Sequence, residues 1–511
     1  MSARSDCSFH TIETRHVRRG SLLLAGATLL ALVCGCPTAD DGPSPPTEPS
    51  KPAVPLRLIV VDDARLAEAI DREWRARAET EIEVLEKTTD DILDSRLHRL
   101  AADAIIYPNG LIGELAERDL IVPIPDEIVN DRRADTEGTT RPRLARRDIF
   151  ELIRQRDIVW GERVYAVPLG SPTFILFYRR DLFDSLGVAA PTSWAEYQQL
   201  AVRLSRRENL GESAPSEGWP WHGAIEPLGP GWAGQVLLAR SSVYARHRNY
   251  LSVLFDLNTM DPRIAAPPFV RALEELVAAA ELGPAEAIQY SPADVRRELL
   301  AGHCAMALTW PSRAEGDGAN VEADNREPLS IGIAELPPST DVYEPDDAEW
   351  RMREESETGH VTLLGVAGRL GSLTKSSRKP QAALDLLLRL SGTEWSTAIS
   401  PRSPDTTLYR TSQMQSAGAW IDQDFESAMA RDYGELIQQA HRRPLGVCSP
   451  RIPGRTRYLA ALDEAVHRAI RGEETPAECL EAAAERWRAI TDELGIKSQQ
   501  SAYWRSLGME P

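Results

Sequence analysis

Four tryptophans lie in or beside segments that the sequence predicts to be loops. Trp219, Trp221 and Trp232 fall within a stretch rich in glycine, proline and tryptophan, and Trp310 ends a short apolar run. A flat indole face can stack on the apolar face of a sugar ring, and each such contact gains about 1 kcal/mol if it removes about 50 Å² from water. The alternative is that these side chains fill a core or a hinge. Four other tryptophans, on predicted helices, are expected in the core: Trp74, Trp194, Trp395 and Trp487.

Polar side chains able to bind hydroxyl groups lie at or beside predicted strand ends. They are Asp62, Asp63, Asn109, Ser171, Thr173 and Arg313. Asp and Asn oxygens accept hydrogen bonds from hydroxyls, and the alternative for each residue is a role in a turn or a helix cap. With the tryptophans, these residues predict a site for a small polar solute, with a sugar as the expected class. No pair of tyrosines suggests an iron clamp, so neither a metal nor another cofactor is expected.

The elements that would position these residues alternate between strand and helix. Leu56–Val61 and Ala104–Tyr107 are short apolar runs typical of buried strands, and apolar residues recur at helical spacing over Ala64–Ala78. This alternation predicts an α/β fold with a mainly parallel sheet. In such sheets ligands bind beyond the carboxyl ends of the strands, where Asp62, Asp63 and Asn109 fall.

The rest of the chain continues the same mixture. Strands are predicted at 165–169, 173–178, 305–309, 329–334 and 361–367, and helices at 269–282, 292–300, 379–390, 458–470 and 476–493. Residues 206–234 are predicted to form a loop. The acidic, largely aperiodic segment 341–357 is predicted to be a solvated surface insertion.

Composition excludes several classes of protein. The 511 residues suffice for two or three domains. A formal net charge of -19, from 58 Lys and Arg against 77 Asp and Glu, argues against a nucleic-acid partner. Six cysteines without a Cys-x-x-Cys pair indicate neither a disulfide scaffold nor a zinc site. Beyond residue 36 only Cys304, Cys448 and Cys479 remain, so at most one bridge can form among them, and Cys304 is expected to be a buried thiol.

The N-terminus has the pattern of an export signal. Basic residues precede an apolar run from Leu22 to Val33, which is shorter than the roughly 20 residues that span a bilayer. The run ends in Leu32-Val33-Cys34-Gly35-Cys36, which resembles a bacterial lipobox and implies lipidation of Cys36. The alternative is an ordinary cleaved signal. Pro37–Pro55 contains seven prolines and is predicted to be an extended tether.

Motifs over roughly 56–494 resemble the extracellular solute-binding proteins of the large sugar-binding family that serves ABC importers. The clearest is a run of two strands and a helix start, in which Tyr165-Ala166-Val167-Pro168-Leu169 precedes Leu176-Phe177-Tyr178 and Pro191-Thr192-Ser193-Trp194. Further similar segments are Leu300–Leu308, Leu364–Ala367 with Ser376–Ala383, Pro450–Gly454 and Gly472–Leu480. In relatives that read Pro-Trp after the strand, the proline comes first, whereas here Trp310 precedes Pro311.

The resemblance implies a two-lobed periplasmic-binding-protein fold, with hinge crossings and a ligand cleft between the lobes. Its implied divisions are a signal peptide at 1–36, a tether at 37–55, a first lobe at 56–168 and 361–395, a second lobe at 169–340 and 396–494, and the acidic insertion at 341–360. It also implies that the protein is not an enzyme, that it is exported and anchored to a bacterial membrane, and that its partners are a solute and ABC permease subunits. A monomer is expected.

Two other functions fit the same residues. An exported glycosidase would use paired carboxylates such as Asp62 and Asp63 or Glu274 and Glu275. No Gly-x-Ser-x-Gly or His-Glu-x-x-His motif supports hydrolysis, however. A binding protein that reports to a sensor is the second alternative, and the sequence does not separate it from an importer component.

Overall fold

The structure is a computed structural model that describes residues 54–78, 80–132, 141–314, 329–421 and 427–511. The strands are β1 (Leu56–Val61), β2 (Ile82–Lys87), β3 (Ala104–Pro108), β4 (Ile121–Val122), β5 (Val159–Trp160), β6 (Arg163–Val164), β7 (Val167–Gly170), β8 (Ile175–Arg179), β9 (His222–Ile225), β10 (Cys304–Thr309), β11 (Ile331–Ala334), β12 (Asp341–Glu344), β13 (Glu349–Met352), β14 (Thr362–Leu364), β15 (Arg369–Thr374) and β16 (Gly446–Cys448).

The helices are α1 (Ala64–Arg77), α2 (Thr89–Leu93), α3 (Ile112–Glu117), α4 (Asp126–Val129), α5 (Arg180–Leu186), α6 (Trp194–Ser205), α7 (Ala233–Ala245), α8 (Pro267–Ala280), α9 (Pro292–Leu300), α10 (Pro380–Ser391), α11 (Thr393–Ile399), α12 (Ser427–Arg442), α13 (Arg455–Ile470), α14 (Pro476–Leu494) and α15 (Ile496–Ser506). The predicted signal peptide, Cys36 and most of the tether lie outside the described residues.

The first sheet has the strand order β2-β1-β3-β15-β4, and β7 also pairs with β15. β1 runs parallel to β2 and β3, whereas β15 is antiparallel to β3, β4 and β7. Five of the six strands therefore run in the same direction, as the prediction of a mainly parallel sheet requires, and β15 alone runs in the opposite direction. As a result, the start of β15 meets the carboxyl ends of β1, β3 and β7 at one edge.

The second sheet has the order β11-β8-β10-β9, with β9 parallel to β10 and the other neighbours antiparallel. β9 lies inside the segment predicted to be a loop, and this prediction is wrong because a strand of four residues between glycines, prolines and tryptophans has too little periodicity to be recognised. The chain passes from the first sheet to the second through residues 171–174, between β7 and β8. It returns through β14, which pairs in parallel with β16.

Helices cover both sheets. In the first lobe, α1 packs on β2 and α10 packs on β7 and β15; in the second, α6 packs on β9 and α9 on β10. Residues Val54–Pro511 form one compact unit, and the lobe boundaries given above stay a prediction. The four helical tryptophans expected in the core are buried, which confirms that expectation.

Helix starts follow capping rules. Thr88, Ser291 and Thr475 each form a capping box with an acidic residue three positions further along. By contrast, α7 was not predicted, since nearly all of its residues are buried and no polar face marks its period.

The acidic insertion contains a β-hairpin rather than only loop. β12 and β13 pair in antiparallel register, and the hairpin packs on α7 and α8. The carboxylates of this segment are interspersed with Val342, which is buried, and with Tyr343 and Trp350, whose rings contact each other.

Cys304 is buried in β10, as predicted, and burial raises the pKa of its thiol. Cys304, Cys448 and Cys479 are all free thiols. Among the described residues, no helix is both long and apolar enough to cross a membrane.

Candidate functional site

The shared edge of the first sheet carries a buried ion pair. Asp63 follows β1 and caps α1, where its Oδ1 accepts from the Leu66 backbone N–H at 3.0 Å. Its Oδ2 lies 3.1 Å from Nε of Arg369, the first residue of β15, and both side chains are almost fully buried. Arg369 also donates to Asp405 at 2.9 Å, and Ser403 donates to Asp63. We call Asp63, Arg369, Ser403 and Asp405 the polar edge.

Asn109 takes part in a second buried cluster below this edge. Its Nδ2 donates to Oδ2 of Asp157 at 2.9 Å, and Ser171 donates to the same oxygen. Burial raises the pKa of Asp157, while hydrogen bonds from Ser171 and Asn109 and the charge of Arg451 oppose the rise. The Oδ1 of Asn109 is buried without a hydrogen-bond partner in the structure, so it can accept from a donor that reaches it.

Three aromatic side chains gather at the end of the second sheet that faces the polar edge. The ring centroid of Trp310, directly after β10, lies 5.5 Å from that of Phe174 and 5.6 Å from that of Trp232. Trp310 is only 1% exposed, whereas Trp232 is half-buried. Asp463 of α13 fixes the turn that carries Trp232 by accepting from the backbone N–H groups of Gly231 and Gly234, each at 2.7 Å. We call Phe174, Trp232 and Trp310 the aromatic group.

The polar edge and the aromatic group are in contact. The indole N–H of Trp310 donates to the carbonyl oxygen of Pro404 at 3.0 Å. Pro404 lies between Ser403 and Asp405, so one short loop joins the two groups. Arg65 in the first turn of α1 makes a second link by donating to the backbone carbonyl of Ala314, beyond Trp310. The two sheets thus have these ends next to each other.

A cation from α13 also lies at this boundary. Arg455 packs so closely on Gly110 that a Cβ added there would lie 2.0 Å from its Nε. Only glycine leaves room for the guanidinium at this place. The buried Nε has no hydrogen-bond partner, and burial lowers the pKa of Arg455 to about 10, while Asp463 raises it. The Nε of Arg455 is therefore a buried donor without a hydrogen-bond partner in the structure.

Two of the predicted tryptophans lie elsewhere. Trp219 and Trp221 precede β9, and Trp310 follows β10, which is parallel to β9; they are therefore at opposite ends of the second sheet. The ring of Trp219 packs edge-on against His303 at 5.2 Å. Trp221 donates from its indole to the carbonyl of Leu204 at 2.8 Å. The structure does not bring these two side chains to the polar edge.

The three remaining predicted residues, Asp62, Thr173 and Arg313, lie in different environments. Asp62 is exposed and binds the backbone N–H of Thr89 at 3.0 Å, which is a structural role in a turn. Thr173 is buried in the crossing between the sheets, where its hydroxyl donates to the Phe174 carbonyl at 3.2 Å. Arg313 is exposed on the segment after Trp310. Only Thr173 of these three is in direct contact with the aromatic group.

Several residues of the site were missed by sequence reasoning: Asp157, Phe174, Arg369, Ser403, Asp405 and Arg455. For Arg369 a signal existed, because an arginine that begins an apolar run is unusual and needs a buried anion. For Ser403 and Asp405 there was none, because they come to the polar edge through a loop far along the chain.

The arrangement suits reversible binding of a small polar molecule. Indole faces offer apolar area, while carboxylates and guanidinium groups offer charge-assisted hydrogen bonds. The described residues contain no cluster of histidine, cysteine and acidic side chains that could hold a metal ion.

Solved structures with the same fold are two-lobed binding proteins. A solute-binding protein of Agrobacterium radiobacter in complex with ribitol matches 86% of this chain and 99% of its own, with 16% identity and a TM-score of 0.60. The sugar-binding protein MalE of Xanthomonas citri matches 86% of this chain and 98% of its own, with 16% identity and a TM-score of 0.60. The maltose-bound MalE of Listeria monocytogenes matches 86% of this chain and 98% of its own, with 14% identity and a TM-score of 0.55.

These likenesses establish the α/β two-lobed fold with its hinge crossings and interlobe cleft. The family model of bacterial extracellular solute-binding proteins matches residues 90–387, more than half of the chain. The chain therefore belongs to the bacterial extracellular solute-binding protein family. A comparison with curated proteins found no match.

Proposed function

We propose that this protein captures a sugar or polyol between its lobes and delivers it to an ABC importer. The observation that carries the proposal is the unbroken path from Trp310 through the Pro404 loop to Asp63 and Arg369. A solute lying along this path would stack on the aromatic group and bond to the polar edge. The similar structures in complex with ribitol and with maltose support this solute class.

Binding in this place would act through closure of the lobes. Trp310 is covered by protein groups here, so a solute reaches it only when the lobes separate. A ligand that touches both lobes favours the closed form, because open and closed forms of such folds differ by only a few kcal/mol.

A direct test is a thermal-shift screen of the soluble body against polyols, monosaccharides and maltodextrins. We expect at least one of these solutes to raise the unfolding midpoint and to reduce the radius of gyration in small-angle scattering. The same solute should be recovered unchanged after long incubation. If a tight-binding solute causes no compaction, the site does not lie between the lobes.

Catalysis is not part of the proposal. Asp63 is committed to a helix cap and an ion pair, and Asp62 to the Thr89 turn, so neither is a free acid or base. Reproducible turnover of an oligosaccharide, abolished in Asp62→Ala or Asp63→Ala, would favour a hydrolase instead.

We further propose that lipid on Cys36 tethers the protein to a bacterial membrane. The support is the lipobox-like sequence and the proline-rich segment after it. We expect Cys36→Ser to release the protein from membrane fractions or to stall its processing, and Cys34→Ser to change neither. A Cys36→Ser variant that fractionates and migrates like the parent protein would rule out the anchor.

A further inference from the structure

A small cavity outside the interlobe site, which we call the arginine cavity, has two arginines in a largely apolar wall. It has a volume of ≈ 30 Å³ and lies where the π-helical turn Ile153–Asp157, the segment 446–452, the loop 251–255 and α15 meet. Its walls include Arg156, Ser449 and Arg451. A cavity of this size holds one or two water-sized groups.

Arg451 and Ser449 each bring an unused polar atom to the wall. Arg451 is 3% exposed, and its Nη1 donates to the backbone carbonyls of Arg156 at 2.7 Å and Asp157 at 3.3 Å. Its Nε, however, is buried without a partner. The buried hydroxyl oxygen of Ser449, two residues earlier, also has no partner. Two donors, on residues two positions apart in the chain, are therefore left without a partner.

A third arginine adds its charge to this region. Arg246 is 6% exposed, and its Nε is also buried without a partner. Burial, together with the nearby charges of Arg156 and Arg353, lowers the pKa of Arg246 to about 10. The guanidinium groups of Arg156 and Arg246 are thus close enough to repel each other.

Among the described residues, no carboxylate lies within 4.0 Å of the guanidinium groups of Arg156, Arg246 or Arg451. The acid of Asp157 is nearby, but it is engaged by Asn109 and Ser171. Burial raises the pKa of the Cys448 thiol, so this group is neutral as well. The carboxylate of Asp157 still interacts favourably with the charge of Arg451, but one carboxylate does not balance three guanidinium groups, and an excess of buried positive charge is unfavourable.

We propose that the arginine cavity binds a small inorganic anion, with chloride as the species whose size fits. The anion would accept from the Nε of Arg451 and the hydroxyl of Ser449, and it would offset the charges of Arg156 and Arg246. Because the cavity joins the segment after β16 to α15, a bound anion would stabilise the packing of α15. This site is independent of the solute proposal.

The test measures the unfolding midpoint of the full chain while chloride replaces gluconate at constant ionic strength. We expect a saturable rise of a few degrees, since a ligand that binds only the folded state stabilises it by mass action. Ser449→Ala and Arg156→Gln should remove most of this rise. Arg457→Gln is the matched control, because Arg457 is an exposed arginine on α13 paired only with Glu493, and it should keep the rise.

Crystals soaked in bromide give the second measurement, with an anomalous peak expected within hydrogen-bond distance of Arg451 Nε and Ser449 Oγ. A midpoint that does not respond to chloride, or that rises equally in all variants, would overturn the proposal. Ordered water alone in the cavity of bromide-soaked crystals would overturn it too. Sulfate is larger than chloride and should replace it less well; an equal response to sulfate would contradict the choice of chloride.

Discussion

The polar edge at the end of the first sheet and the aromatic group at the end of the second sheet face each other, but different forces hold them in place. Asp63 and Arg369 form a buried ion pair that also receives Ser403 and Asp405. The aromatic group is held by ring contacts and one indole hydrogen bond to Pro404.

This difference predicts that the polar edge contributes mainly to the stability of the fold and that the aromatic group contributes mainly to solute recognition. Each charge of the polar edge already has a protein partner. Removing one charged side chain therefore leaves the charge of its partner buried and unpaired. Trp232 is half-buried and caps no buried charge, so its removal mainly takes apolar surface away from a ligand. We therefore expect substitutions at the polar edge to lower the free energy of unfolding, and substitutions of Trp232 to lower solute affinity.

The largest effect should come from Arg369→Met. This change removes the cation from buried Asp63 and should lower the free energy of unfolding by about 3–5 kcal/mol, as for other broken buried pairs. Denaturant unfolding measures it. Arg488→Met, at an exposed arginine paired with Asp261 and Glu481, is the control and should cost less than about 1 kcal/mol. If both variants lose the same small amount, the ion pair contributes no more than a surface pair does.

A smaller effect, on affinity instead of stability, is expected for Trp232→Ala. Loss of one indole face should weaken binding of the best solute from the panel by about 1–2 kcal/mol, or roughly tenfold. Titration calorimetry measures it. Trp219→Ala removes the same side chain at the opposite end of the second sheet and should leave affinity unchanged. Equal losses in the two variants would show that the ligand does not distinguish the two ends.

The two ends of the second sheet also show what sequence alone can decide. The apolar runs of β1, β3 and β10 are clear in the sequence, and so are the polar residues after them, because a buried strand and its end have a local pattern. Trp310 ends such a run, whereas Trp219 lies in a predicted loop, yet both are candidates by residue type alone. What separates them is the direction of β9 and β10 in the sheet, which no local pattern records.

Contacts between residues that are distant in the chain could not be predicted from the sequence either. Arg369 pairs with Asp63 over 306 positions, and Asp405 arrives from a loop without regular structure. Asp157 sits in a π-helical turn, a conformation that periodicity does not predict. The family-like motifs supplied the two-lobed fold, whereas these contacts depend on the packing of the whole chain.

The smallest expected effect is a pH dependence that distinguishes Asp157 from the well-paired carboxylates. Burial raises the pKa of Asp157 above that of the unfolded chain, so between the two values the folded protein binds the extra proton. The stability that this group contributes is then present below the unfolded pKa and is lost as pH rises through the folded pKa. We expect the free energy of unfolding of Asp157→Asn, relative to the parent protein, to increase from acidic to neutral pH, since the amide oxygen still accepts from Asn109 or Ser171 without carrying charge.

Asp256→Asn provides a control of opposite sign: although burial would raise the pKa of Asp256, hydrogen bonds from the Thr259 and Asn258 backbone and from Arg263 lower it to about 2. That variant should lose stability relative to the parent as pH rises above about 2, through the unfolded pKa of about 4. Denaturant unfolding of the three proteins across this pH range measures both trends, and parallel pH curves for Asp157→Asn and the parent would show that Asp157 titrates normally in the folded protein.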